Sequence, residues 1–150
     1  MRFFLLALIS VLTVTGCAVV PYKDLNLDTT SNFKYPGEGQ AGVYVYQWKT
    51  GIIGAGLDVD FVIEGVAEIS LNTGEYGYVE VAPGKYKYKF SGGPFKHYYV
   101  PVEFEANKNY FFRASLLNLT DNAFLIRDQT EINDVKRNIL TGRYELNSID

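Results

Sequence analysis

The sequence predicts a mainly β domain, an antiparallel β-sandwich or a small barrel, with one short helix near its C-terminal end. Three observations predict it. From Gly42 to Arg127, apolar and polar residues alternate with a period of two over a series of short runs. Turn-forming groups such as Glu64-Gly65, Asn72-Thr73-Gly74 and Pro83-Gly84 separate those runs. Only Ile132, Val135, Ile139 and Leu140 place apolar residues at helical spacing.

Each element follows from its own residues. Val43 and Val45 alternate with Tyr44, Tyr46 and Trp48, a strand with both faces partly apolar, and the glycine-rich stretch 51–56 then forms a flexible, apolar loop or bulge. Leu57, Val59, Phe61 and Ile63 alternate with Asp58, Asp60 and Val62, so this strand is half-buried. Glu64-Gly65 turns the chain into Val66 to Leu71, and Asn72-Thr73-Gly74 turns it into Tyr76 to Val81. Ala82-Pro83-Gly84 reads as a type II turn, with proline setting φ and glycine taking a positive one. The next strand has Lys85, Lys87 and Lys89 on one face and Tyr86, Tyr88 and Phe90 on the other.

His97 to Glu105 aligns Tyr98, Val100, Val102 and Phe104, with Pro101 pointing to an edge or a bulge. Tyr110 to Leu117 and Ala123 to Arg127 complete the long strands. Asp128 with Glu131 forms a capping box for the helix, Gly142 is its C-terminal stop, and Arg143 to Leu146 adds a short strand. The helix is expected to cover one end or edge of an immunoglobulin-like or transthyretin-like sandwich.

Composition narrows the function. The chain has 150 residues, which suits one domain after a leader, and 14 basic against 17 acidic residues for a net charge of −3. There is no basic block, which argues against nucleic acid as a partner. A single cysteine allows no internal disulfide, so stability must come from packing, for which 12 Tyr, 10 Phe and one Trp are available.

The N-terminus carries the strongest motif. Met1-Arg2 is followed by an apolar run from Phe3 to Ile9, extended through Val11, Leu12 and Val14, which reads as a secretory signal. A transmembrane helix through Val20 is the alternative by length, though Thr13, Thr15, Gly16 and Cys17 dilute its second half. An ordinary secretory signal with an incidental cysteine is the other. Val14-Thr15-Gly16-Cys17 resembles the bacterial lipobox. That resemblance implies cleavage between Gly16 and Cys17 and a diacylglyceryl group on the Cys17 thiol. More than one acyl chain is what stable membrane anchoring requires.

The implied organisation is a signal peptide over 1–16, a lipidated N-terminus and flexible tether over 17–40, and the β domain over 41–150. Loss of 1–16 removes only Arg2 among the charged residues, so the mature chain is one charge more negative. Pro21, Asp24, Asn26, Asp28, Pro36 and Gly37 give 18–40 its tether composition. Gly37, Gly39 and Gly42 match the spacing of a dinucleotide fingerprint, but proline-rich coil precedes and a β-type run follows, so no phosphate meets a helix there.

Few residues suggest chemistry. His97 is the sole histidine and, beside Tyr98 and Tyr99 on a strand, reads as structural. Asp58/Asp60 and Glu103/Glu105 each set two carboxylates on one strand face, short of the six or more oxygens Ca²⁺ takes. No metal, no catalytic set and no cofactor beyond the lipid on Cys17 is expected. Lys85, Lys87, Lys89 and Trp48 are the ligand-surface candidates, since aromatic faces stack on rings and lysines attract anions. The competing account makes Tyr86, Tyr88 and Phe90 core and the lysines a solvated face that blunts an edge. Asn118-Leu119-Thr120 fits a glycosylation acceptor, which means little in a bacterial lipoprotein.

The strand Val43-Tyr44-Val45-Tyr46, the Val62-Ile63-Glu64-Gly65 turn, Asn72-Thr73-Gly74-Glu75-Tyr76, Pro83-Gly84 and Lys108-Asn109-Tyr110-Phe111-Phe112-Arg113 form one set. By these, residues 41–140 with their closing helix resemble a bacterial lipoprotein family described only as a domain of unknown function. The chain departs from that pattern at Gln47-Trp48, where an arginine is expected, and at Asn109, where a glycine is. The resemblance supplies no catalytic residues and is nearly silent about function. With the lipobox, the leading reading is a non-enzymatic cell-envelope lipoprotein that presents an interaction domain, with a glycan- or small-ligand-binding module as the alternative. The implied partners are the membrane, through the lipid, and another envelope protein, with oligomeric state open. Ala18 after the cysteine is not the aspartate associated with inner-membrane retention, so the periplasmic face of the outer membrane is expected in a Gram-negative source.

Cys17→Ser should abolish lipid attachment and leave the leader uncleaved at Gly16, because the thiol is the acyl acceptor. Mass analysis of the mature N-terminus decides this; an unmodified chain that begins elsewhere would show the motif to be incidental.

Overall fold

The computed structural model describes residues 34–49, 57–92, 98–115 and 122–147. In chain order the elements are β1 (Ala41–Gln47), β2 (Val59–Ile63), β3 (Ala67–Leu71), β4 (Glu75–Val81) and β5 (Gly84–Ser91). They are followed by β6 (Val100–Phe104), β7 (Asn109–Ser115), β8 (Asn122–Leu125), α1 (Gln129–Leu140) and β9 (Glu145–Leu146). Gly16, Cys17, His97, the 51–56 loop and the Asn118 acceptor lie outside the described residues.

Two sheets face each other, one in the order β8-β7-β1-β4-β9 and the other β3-β2-β5-β6. The fold is therefore a sandwich and not a closed barrel. β1 and β2 lie in different sheets, whereas the first two strands of an immunoglobulin domain are neighbours in one. The five-stranded sheet is also mixed, a departure from the antiparallel expectation: β1 pairs antiparallel with β4 but parallel with β7, and β9 runs parallel to β4.

Alternation in the strands sorts residues into two cores. Val43, Val45, Phe112 and Ala114 point from the five-stranded sheet toward Phe61, Ile63, Ile69, Leu71, Tyr88, Phe90 and Phe104 of the other. Phe112 is the centre, with ring centroids 4.8 Å from Phe61 and 4.7 Å from Tyr88. Gly77 lies opposite Val45 in β4, and a Cβ there would come within 2.6 Å of Ile69 Cγ2. Its missing side chain is what lets the two sheets approach.

On the opposite face of the same sheet, Tyr44, Tyr46, Phe111, Ile126, Val135 and Tyr144 form the second core. Ile132, Ile139 and Leu140 of α1 pack on it, so the helix lies against a face of the sheet and not at an end or edge. Asp128 caps α1 by accepting from the Glu131 amide at 2.9 Å, and Gly142 follows the C-cap with φ of 70°. The Glu131 carboxylate turns across to Arg113 of β7. Among the described residues no helix is long and apolar enough to cross a membrane.

Two details differ from the expected turn chemistry. Gly84 enters β5 with φ of 157°, close to extended, where a type II turn takes roughly +80°. The reason is topological: β4 and β5 belong to different sheets, so Ala82-Pro83 forms a corner and not a hairpin. The Tyr86 hydroxyl fastens that corner by donating to the Ala82 carbonyl at 2.9 Å. Lys34 to Gln40, in the segment read as tether, is held on the domain. The Tyr44 hydroxyl donates to the Lys34 carbonyl (2.7 Å), the Gly37 amide to Glu80 (3.2 Å) and the Gly39 amide to the Asn107 side chain (3.0 Å).

Tyr88 is 7% exposed and meets three aromatic rings, whereas Lys87 on the opposite face of β5 is exposed. Tyr88→Ala should lower unfolding free energy by about 3–5 kcal/mol, the range for a large aromatic removed from a core. Lys87→Ala should stay within about 0.5 kcal/mol. Urea unfolding beside the parent chain checks both; a near-neutral Tyr88→Ala would place that ring outside the core.

Candidate functional site

The lysine candidates and the tryptophan candidate lie on opposite sides of the molecule. Tyr86, Tyr88 and Phe90 pack in or against the inter-sheet core, so Lys85, Lys87 and Lys89 stand on the outer face of the four-stranded sheet. The lysines guard no edge, because β5 is flanked by β2 and β6. Lys85 faces Glu103 across the β5–β6 ladder, and the Lys89 ammonium lies 5.1 Å from the centre of the Tyr99 ring. Trp48 packs against the second core, beyond the end of β1, where its amide donates to the Ala114 carbonyl at 2.8 Å. The paired carboxylates have separate partners: Asp60 accepts from the Ser70 hydroxyl, and Glu105 pairs with Lys108 at 2.6 Å.

A groove of about 540 Å³ opens where the edge strands β6 and β8 come together from different sheets. Tyr88, Val102, Leu125 and Ile132 supply apolar lining, with Glu103, Glu105 and Arg127 among its charged residues. Val100 lines it too and is 44% exposed, next to Tyr98 at 72%, while Tyr99 lies over Lys89 on the outer face of the sheet. Burial raises the Tyr88 phenol pKa, opposed by the Leu125 backbone and the Arg127 charge, which places the hydroxyl toward β8.

The edge of β6 is poorly suited to accept another strand. Lys87, which faces Pro101, directs its carbonyl toward the Glu64 amide at 2.9 Å, so Pro101 faces the open side and has no N–H to offer. The Glu105 amide donates to the Tyr110 hydroxyl at 2.8 Å, a bond between the two sheets. The groove is thus a side-chain surface, with the backbone edge beside it blunted.

A second cleft, of about 310 Å³, is lined by Trp48, Lys49, Asp134, Asn138, Arg143 and Tyr144. Behind it lies a charged pair held in aromatic surroundings. The Arg113 guanidinium donates to the Glu131 carboxylate, with side chains only 17% and 24% exposed. Its Cζ is 4.6 Å from the Phe124 ring centre and 5.4 Å from that of Trp48. Burial raises the Tyr46 phenol pKa strongly, and the nearby Arg113 charge opposes this. Burial also raises the phenols of Tyr44, Tyr76 and Tyr78 on the same face, with Glu80 adding to the effect at Tyr78.

Of these groups the sequence singled out only Trp48. A signal for Arg113 existed: it is the lone cation in the run Tyr110-Phe111-Phe112-Arg113-Ala114, on a strand apolar on both faces. Asp134 and Asn138 are four residues apart and so share a helix face, but nothing in the sequence placed that face beside Trp48. Gln47, where the resemblance led to an arginine, is fully buried and donates to the Leu57 carbonyl (3.0 Å) and the Thr73 hydroxyl (3.1 Å).

A family model described as Protein of unknown function (DUF2846) matches residues 37–124, more than half of the chain. The match runs from the turn before β1 into β8, so α1 and β9 fall outside it. The resemblance drawn from the motifs had included the helix. No curated protein matches the chain.

The raised phenols predict an alkaline limit to stability. A phenol with a higher pKa in the folded state contributes fully below the unfolded value of about 10.0, and that contribution is lost as pH rises toward the folded value. Stability should therefore be flat in this respect up to about pH 9 and fall above about pH 10. In a spectrophotometric titration of the phenols, Tyr44 and Tyr46 should ionise only with unfolding. A single smooth titration of all phenols near pH 10, with the fold intact, would contradict this.

Proposed function

We propose that this chain, which belongs to the DUF2846 family of proteins of unknown function, is a non-enzymatic lipoprotein of the bacterial cell envelope whose sandwich meets another envelope protein. Cys17 would carry the lipid, and the residues after it would tether the domain to the periplasmic face of the outer membrane in a Gram-negative source. The observation that carries the interaction reading is the groove between β6 and β8, with exposed Val100 in its lining and exposed Tyr98 and Tyr99 just before it in the chain. Contiguous apolar and aromatic surface with charged residues beside it is the composition of a protein contact. Because Pro101 and the Tyr110–Glu105 bond blunt the β6 edge, side chains and not an added strand would make that contact.

A photo-crosslinking residue placed at Tyr98, and separately at Glu68 on the exposed face of β3, tests this in cells. The expected result is a discrete protein adduct from position 98, none from position 68, and loss of the adduct with Cys17→Ser. Equal adducts from both positions, none from either, or an adduct to a carbohydrate polymer would overturn the reading.

A further inference from the structure

The cleft beside Trp48 has a different character from the groove and does not depend on the protein contact proposed for it. Its volume of about 310 Å³ lies at the lower end of small-ligand sites, roughly 300–1,000 Å³. Its lining combines an indole, an amide, a phenol, two cations and one carboxylate. The carboxylate is engaged, since Asp134 pairs with Arg137 at 3.3 Å. The buried cation behind the indole is engaged as well, since Arg113 pairs with Glu131. Lys49 and Arg143 are exposed and make no ion pair among the described residues. Arg143 is steadied by donating to the Asn138 side-chain oxygen at 3.4 Å, which leaves the rest of its guanidinium fork available. The cleft is thus a cationic spot on a chain of net charge −3.

We infer that this cleft binds an anionic sugar: one ring, with a flat apolar face against Trp48 and a carboxylate or phosphate held between Lys49 and Arg143. Each part of the lining meets one part of such a ligand. Indole offers a broad apolar wall with little flexibility to lose. Arginine recognises a carboxylate or phosphate through paired N–H donors, and lysine adds a point charge. The Asn138 side-chain amide suits a ring hydroxyl. The volume suits a single ring and its acidic substituent. Trp48 and Lys49 lie inside the matched 37–124, whereas Asp134, Asn138, Arg143 and Tyr144 lie beyond it, so the site joins the matched span to the segment that follows it.

Trp48 is the only tryptophan, so its fluorescence in the full chain reports on this cleft directly. N-Acetylmuramic acid and glucose 6-phosphate are titrated against their uncharged counterparts N-acetylglucosamine and glucose, with adenosine monophosphate as a larger sugar phosphate that also carries a base. A saturable change is expected with one or both acidic sugars, whichever anion the cations prefer, and little with the neutral ones. Raising the salt concentration should weaken it, because both cations are exposed. Arg143→Gln and Lys49→Gln, each shown by thermal melting to fold like the parent, should each weaken binding about tenfold or more. Calorimetry with Trp48→Leu should also show binding lost. The inference fails if no ligand saturates up to about 10 mM, beyond which binding is weaker than a built site should give. It fails equally if neutral sugars match acidic ones, if the nucleotide binds more tightly than either acidic sugar, or if both charge variants bind like the parent.

Discussion

β1 has no face left for solvent, and the rest of the molecule is arranged around that constraint. All seven of its residues are buried, Ala41 to Gln47 without exception. A strand with valines on one side and tyrosines on the other needs a cover for each. The four-stranded sheet covers Val43 and Val45; α1 with Tyr144 and Ile126 covers Tyr46 and Phe111; and the chain at Lys34 closes over Tyr44. Its backbone is equally occupied, by β4 on one side and β7 on the other. The parallel pairing with β7 fits this position, since parallel ladders belong where both faces are covered.

The cross-strand rows show how the covers are matched. On the outer face Tyr78, Tyr44 and Phe111 lie side by side in register, with Tyr44 4.5 Å from Tyr78 and 5.2 Å from Phe111 between ring centres. On the inner face the corresponding row is Gly77, Val45 and Phe112, graded from no side chain to a large ring. That gradient tilts the packing: Ile69 fills the space at Gly77, and Phe112 fills the space among Phe61, Tyr88 and Phe104. Adjacent residues of one strand thus build two different cores.

Arg113 is the point where the helix layer is specified and not simply attracted. Apolar burial would hold α1 on the sheet in several orientations, because the hydrophobic effect has no direction. A partly buried guanidinium between two aromatic rings, matched by Glu131 in the first turn of α1, favours the orientation that keeps the pair together. Glu131 also sits near the positive end of the helix, which suits a carboxylate. Its engagement with Arg113 explains why only half of the expected capping box forms: Asp128 caps the Glu131 amide, while the Glu131 side chain is drawn to the sheet.

The period of two, the turn residues and the helix cap were legible because each depends on near neighbours. β4, β5 and α1 lie within a residue or two of where their patterns placed them. The lysine strand was legible for the same reason, since alternation in Lys85 to Phe90 states which face is buried. What could not be read was the assignment of strands to sheets. Pro83-Gly84 looks alike in a hairpin and in a corner between sheets, and only the second sends β5 away from β4. Both candidate sites hang on that long-range choice. The groove exists because β6 and β8 end two different sheets on the same side. The cleft exists because α1, beyond the matched family span, must lie on the tyrosine face of β1. An apolar strand face that needs a cover thereby acquires, from the segment that covers it, the polar groups of a site: Asn138 and Arg143 reach the indole of Trp48 only because Val135, Ile132 and Ile139 are held by Tyr46 and its neighbours.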